Sequence, residues 1–162
     1  MKNLKSLLFT FALVFSFNAN ASVVGDKAPN FSTKDVNGVE VKLKNLSDKI
    51  VVLEWHNAEC PFVKKHYDGG NMQALQKQYT EKGVVWISVN SGAKGKQGHF
   101  KNNDVAKEAL KQKNWSGSNY IIDELGEIGK LYKAATTPHM FIINKGNLVY
   151  AGVMPPYKWS NK

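Results

Sequence analysis

The chain has 162 residues, 22 basic against 13 acidic side chains, a formal charge of +9 and one cysteine. That length allows one domain with a true core and is too short for two of ordinary size. The basic residues are scattered lysines without arginine–aromatic interleaving, which argues against a nucleic-acid surface and leaves a solvated basic face open to an acidic partner or a membrane surface.

The first stretch sets Lys2 and Lys5 before the apolar run 7–15 and then Ala19-Asn20-Ala21, the layout of a secretory signal cut after Ala21. The expected domains are therefore a signal peptide, residues 1–21, and one mature domain, residues 22–162. The run is shorter than the roughly 20 residues a membrane span needs, and nothing later approaches that length, so no transmembrane segment is expected in the mature form. The expected location is the periplasm or the exterior. Cysteines there normally pair, and a lone Cys60 points to an intermolecular partner or a free reactive thiol.

Residues 25–31 read as an extended lead-in, and the Asn37-Gly38 pair signals a tight hairpin within 35–41. Residues 50–55 form a nearly continuous apolar run, which predicts a strand covered on both faces. Helical spacing begins at Pro61, breaks at Asp68-Gly69-Gly70, and resumes through Met72, Leu75 and Tyr79 until Gly83, as one interrupted helix or two short ones. A second buried strand spans 84–89, followed by a glycine-rich loop, 91–98, read as a mobile rim rather than a phosphate cradle. Asp104 is the expected N-cap of a helix running to Lys111. A strand at 120–123, a helix at 126–132, a strand from Thr137-Pro138 to Ile143, a turn at 144–147 and a last strand at 148–151 complete the chain. The order predicts an α/β fold, a mixed β-sheet with helices on both faces and an N-terminal β-hairpin.

Cys60 follows the first buried strand and precedes a proline suited to the first helical position. A helix N-terminus offers unpaired N–H groups and partial positive charge, which favour thiolate over thiol, and Lys64 and Lys65 would add to that. The plainer reading is a small buried hydrophobe. Pro138 at a strand's first residue is the second informative position, because a cis Thr137–Pro138 bond would present backbone to an extended substrate.

These residues resemble the thioredoxin-like superfamily, specifically its peroxiredoxin-related redoxin branch. The resemblance rests on Gly25, Ala28, Pro29 and Phe31, on the strand 51–55, on Cys60-Pro61-Phe62-Val63-Lys64-Lys65-His66, and on Thr136-Thr137-Pro138-His139 with the strand that follows. It implies a thioredoxin-like fold and an exported, thiol-dependent oxidoreductase or antioxidant protein. Its site residues would be Cys60, Thr137 and Pro138, with Cys60 attacking peroxide or disulfide sulfur and the threonine–proline pair facing it. It implies no cofactor, and partners that are an external thiol reductant or a disulfide-bearing protein.

The departures are specific. Thioredoxins carry a second cysteine where Val63 stands, so a self-contained dithiol cycle is not available. Typical peroxiredoxins have proline and threonine where Leu53 and Asn57 stand, which leaves the activation of peroxide open. A resolving cysteine is then lost or belongs to another molecule. His66 and His139 are each candidates for a base near sulfur or for a structural role, and Glu59 for a proton shuttle or a solvated side chain. Two alternatives remain. Cys60, His139, Met140 and Met154 are donors that suit copper, and an inactive thioredoxin-like binding domain would need none of this chemistry.

Overall fold

The computed structural model describes residues 24–154, so the expected signal segment and the residues from Pro155 onward lie outside it. In chain order the elements are β1 (Ser32–Lys34), β2 (Glu40–Lys42), a 3-10 turn (Leu43–Leu46), β3 (Ile50–Trp55), α1 (Pro61–Asp68), α2 (Asn71–Thr80), β4 (Val85–Asn90), α3 (Asn103–Gln112), β5 (Asn119–Ile122), α4 (Glu127–Tyr132), β6 (His139–Asn144) and β7 (Asn147–Val153). β1 and β2 form a two-stranded antiparallel ribbon. The other strands make one mixed sheet in the order β5-β4-β3-β6-β7, with β3, β4 and β5 parallel and β6 and β7 antiparallel.

β3 lies at the centre because its side chains are buried at every position after Ile50, as its apolar run predicts. Strand alternation sends Val51, Leu53 and Trp55 to one face, where Ile87, Val89, Phe141 and Ile143 join them against Ile128 and Tyr132 of α4. Val52 points the other way, and with Trp86 and Met140 it packs on Val63 and Tyr67 of α1 and Met72 of α2. α3 adds Ala106 and Leu110 against Tyr120 of β5. Helices thus cover both faces. Each fully buried large apolar side chain contributes about 1.5–3 kcal/mol relative to exposure.

Three local expectations change. The N-terminal connection is wider than a tight Asn-Gly hairpin, because Lys34 pairs with Glu40 and residues 35–39 form the link. Asp35 organises it: Oδ1 accepts from the backbone N–H of Asn37 at 2.8 Å and of Val39 at 2.9 Å, and Gly38 takes φ +80°. Asn102, not Asp104, caps α3, its Oδ1 accepting from Val105 N–H at 2.9 Å; Asp104 instead meets the Lys107 ammonium at 2.7 Å. Finally, β7 runs on to Val153 because His139 and Met140 supply it with partners, two residues past the expected end at Ala151.

Candidate active site

β3 delivers the chain to the carboxyl end of the sheet, where His56 N–H still bonds Val89 O at 2.8 Å. The next residues close on themselves: Cys60 N–H donates to Asn57 O at 3.0 Å and Glu59 N–H to Asn57 Oδ1 at 2.9 Å. Cys60 is the N-cap of α1 with Pro61 at the first turn, and its carbonyl accepts from Lys64 N–H at 2.9 Å. The sulfur is partly buried. Burial, the largest influence, pushes the thiol up, yet hydrogen bonding by the Thr137 side chain and the backbone N–H groups of Val63 and Phe62 outweighs it and brings the thiol below its ordinary value.

Opposite the sulfur, the Thr137–Pro138 bond is cis and Pro138 is buried just before β6. The Cys60 thiol donates to Thr137 O at 3.2 Å. That bond exists only while sulfur is protonated, so it works against ionisation and is given up when the thiolate forms. Cys60, Thr137 and Pro138 therefore come together across 77 positions of sequence. Beside them lies a cavity of about 290 Å³ lined by Phe62, Lys65, His66, Thr136, Thr137, Pro138, Val153 and Met154.

Other candidates separate. Val63, at the place of a thioredoxin's second cysteine, is buried in the core under α1. Lys64, Lys65 and Glu59 are exposed. Asn57 is spent on the loop, because Oδ1 holds Glu59 N–H and Nδ2 donates to Gln97 O at 3.3 Å, tying the glycine-rich segment to the cysteine loop. His139 lies on the α4 side, its ring 4.4 Å from that of Phe141 and its Nδ1 accepting from Ala135 N–H at 3.3 Å. Cys60, Met140 and Met154 pack on the opposite side, so His139 is not brought to the sulfur. Among the described residues no group of three His, Cys, Asp or Glu is placed to hold a metal ion.

The feature least visible in sequence is Glu54. Fully buried on the α1 side, its carboxyl accepts from Tyr67 Oη at 2.8 Å, Gln76 Nε2 at 3.0 Å, Trp86 Nε1 at 2.8 Å and Ser88 Oγ at 3.0 Å. Burial, and next the Glu54 charge, hold the Tyr67 phenol well above its usual range, so it stays a donor. Neighbouring His56 bonds Tyr120 Oη at 2.6 Å through Nδ1, and burial lowers its pKa against the pull of Glu54. The one signal for this network was a carboxyl residue inside an otherwise apolar strand.

The model of the AhpC/TSA family matches residues 24–151. The chain belongs to the AhpC/TSA family. Within it, the chain is 31% identical over 127 residues to the thiol-disulfide oxidoreductase ResA of Bacillus thuringiensis subsp. konkukian, a match covering 78% of this chain and 66% of that protein. The chain thus spans just under two thirds of this curated relative. A crystal structure of an uncharacterized conserved protein from Geobacillus kaustophilus superposes with a TM-score of 0.72 at 26% identity, over 88% of this chain and 75% of that one. The thioredoxin domain of a thiol-disulfide oxidoreductase from Bacteroides vulgatus does so with a TM-score of 0.61 at 19% identity, over 80% of this chain and 87% of that one. The fold of this AhpC/TSA member is thioredoxin-like.

Proposed function

We propose that the protein is a thiol-dependent oxidoreductase that exchanges disulfides through Cys60 alone, with a second thiol supplied from outside. The observation that carries this reading is the sulfur at the start of α1, 3.2 Å from the carbonyl that precedes a cis-proline. The thiolate of Cys60 attacks one sulfur of a partner disulfide; a new S–S bond forms, the old one breaks, and its electron pair leaves on the other sulfur. An external thiol then attacks the mixed disulfide and regenerates Cys60. Thr137 and Pro138 align the incoming chain, and the α1 N–H groups of Phe62 and Val63 favour the thiolate. The ResA relatives, named as thiol-disulfide oxidoreductases, support the same chemistry.

Peroxide reduction to a sulfenic acid is the neighbouring reaction open to such a thiolate. Disulfide exchange is preferred because Asn57 has no hydroxyl and both ends of its amide are engaged by the loop. Lys2, Lys5, the apolar run 7–15 and Ala19-Asn20-Ala21 support export to an oxidising compartment with cleavage after Ala21.

The test is alkylation of Cys60 by iodoacetamide across pH, followed by incubation with a disulfide peptide. The expected midpoint lies below the free-thiol value of about 8.5, with a mixed disulfide at Cys60 detectable by mass. A midpoint at or above that value, with no adduct, overturns the reading. Dimedone labelling after hydrogen peroxide, with no mixed disulfide, would put peroxide reduction in its place.

A further inference from the structure

The cavity beside Thr137 and Pro138 contains a titratable group that the exchange reaction as described does not use. His66 is buried, with 4% of its surface exposed, yet its ring lines that cavity together with Phe62, Thr137 and Met154. Helical rotation alone would not predict this, since six residues from Cys60 a straight helix points elsewhere. Two features explain it. Cys60 stands outside the helix as its N-cap, and the Gly69–Gly70 break turns the chain so that Asn71 meets the ring, Nδ2 to Nδ1 at 3.0 Å.

That contact assigns the nitrogens different work. An amide N–H donated to Nδ1 makes Nδ1 the acceptor and leaves the proton on Nε2. No described residue hydrogen-bonds Nε2. Burial first, and then Lys65, hold the imidazole below its ordinary pKa against the opposing pull of Glu54, so the neutral tautomer prevails near neutrality. The rest of the cavity is poor in fixed donors: Phe62, Pro138, Val153 and Met154 are apolar, Thr136 and Thr137 carry hydroxyls, and Lys65 is exposed on a long flexible stem.

We propose that His66 is the leaving-group donor of this site, its Nε2–H hydrogen-bonding the sulfur expelled when Cys60 attacks a disulfide bound in the cavity. The inference rests on the disulfide-exchange reading above. The bond formed is Cys60 Sγ to one partner sulfur, the bond broken is the partner's S–S, and the electron pair moves onto the departing sulfur, which draws its proton from water after release. A donor aimed where that charge develops lowers the barrier most for a sulfur that is a poor leaving group, meaning a thiol of high pKa.

The experiment compares the full chain with H66F and H66Q against two small disulfides. One is 5,5′-dithiobis(2-nitrobenzoate), whose aromatic thiol leaves readily; the other is bis(2-hydroxyethyl) disulfide, whose aliphatic thiol leaves poorly. H66F is expected to slow the aliphatic reaction about tenfold or more and the aromatic one by less than about twofold, with H66Q, which retains an N–H donor, recovering part of the loss. Iodoacetamide alkylation of Cys60 should be unchanged, because that reaction involves no expelled sulfur. Equal slowing with both disulfides would show a packing role and overturn the proposal, as would no slowing with either. If H66F fails to fold, H66A and N71L decide by the same ratio of rates. Wild-type protein unreactive towards both disulfides would instead overturn the exchange reading itself.

Discussion

On the α4 side of the sheet, Trp55, Tyr132 and Phe141 meet ring against ring at 5.1–5.7 Å, with aliphatic side chains around them. Beneath α1 and α2 the same strands bury a carboxyl group and an imidazole; cavities open on both sides, of about 290 and 340 Å³ here and of about 460 and 230 Å³ on the α4 side. The first side stabilises the fold by burial, whereas the second gives up part of that stabilisation to hold polar groups on the face where the Cys60 sulfur packs. The candidate site lies on the face with the buried carboxyl and imidazole groups, and the aromatic face serves as its platform.

The largest test of that division is Cys60→Ser, which should reduce disulfide exchange to background while leaving the melting temperature within a few degrees of wild type, measured by mixed-disulfide trapping and calorimetry. Phe141→Ala should do the reverse, costing about 3–5 kcal/mol in urea unfolding while Cys60 in the remaining folded protein keeps its alkylation rate. Glu54→Leu removes the acceptor of four buried donors and should cost about 3 kcal/mol despite adding apolar volume. If it proves neutral, the polar network is not what holds α1 and α2 on the sheet.

Acid should act unequally on the two faces. His56, His66 and His139 all have folded pKa values depressed by burial, so the unfolded chain takes up their protons first on acidification. Stability is therefore full above the unfolded histidine value of about 6.5 and falls as pH drops below it towards the folded values. His56 also bonds Tyr120 Oη at 2.6 Å, so thermal melts between pH 7.5 and 5.5 should be flattened most by His56→Gln. A slope unaffected by that change would place the acid sensitivity elsewhere.

Smaller effects should come from the platform's rim. Asp123 accepts from the N–H groups of Ile128 at 3.2 Å and Gly129 at 2.9 Å and from Ser91 Oγ at 2.7 Å, so Asp123→Ala should cost about 1–2 kcal/mol through α4. The exposed Lys113–Asp68 pair, at 2.7 Å, should contribute no more than about 1 kcal/mol, and raising the salt concentration should erase it.

Much of this architecture was legible in the chain. The run 50–55 announced a central strand because a strand covered on both faces is nearly continuously apolar, and the Cys60-Pro61 pair announced a helix start because proline fits the first turn. Thr137 and Pro138 were named through resemblance, and the Thr137 carbonyl lies 3.2 Å from the sulfur. Caps and turns were read less well, as Asn102 and Asp35 show, because several neighbouring side chains can satisfy the same backbone N–H and packing selects among them.

Local sequence by itself determined the order of strands and helices, the seat of the thiol at a helix start and the absence of a second cysteine to pair with it, since these depend on side-chain type, periodicity and composition. Only tertiary structure decided that Glu54 gathers donors from α1, α2 and β4, that His139 turns away from the sulfur, and that His66 lines the cavity beside Thr137 and Pro138. Those outcomes depend on which face of β3 each helix covers and on the turn at Gly69–Gly70, distances set by contacts among residues far apart in the chain, which no window of neighbouring residues contains.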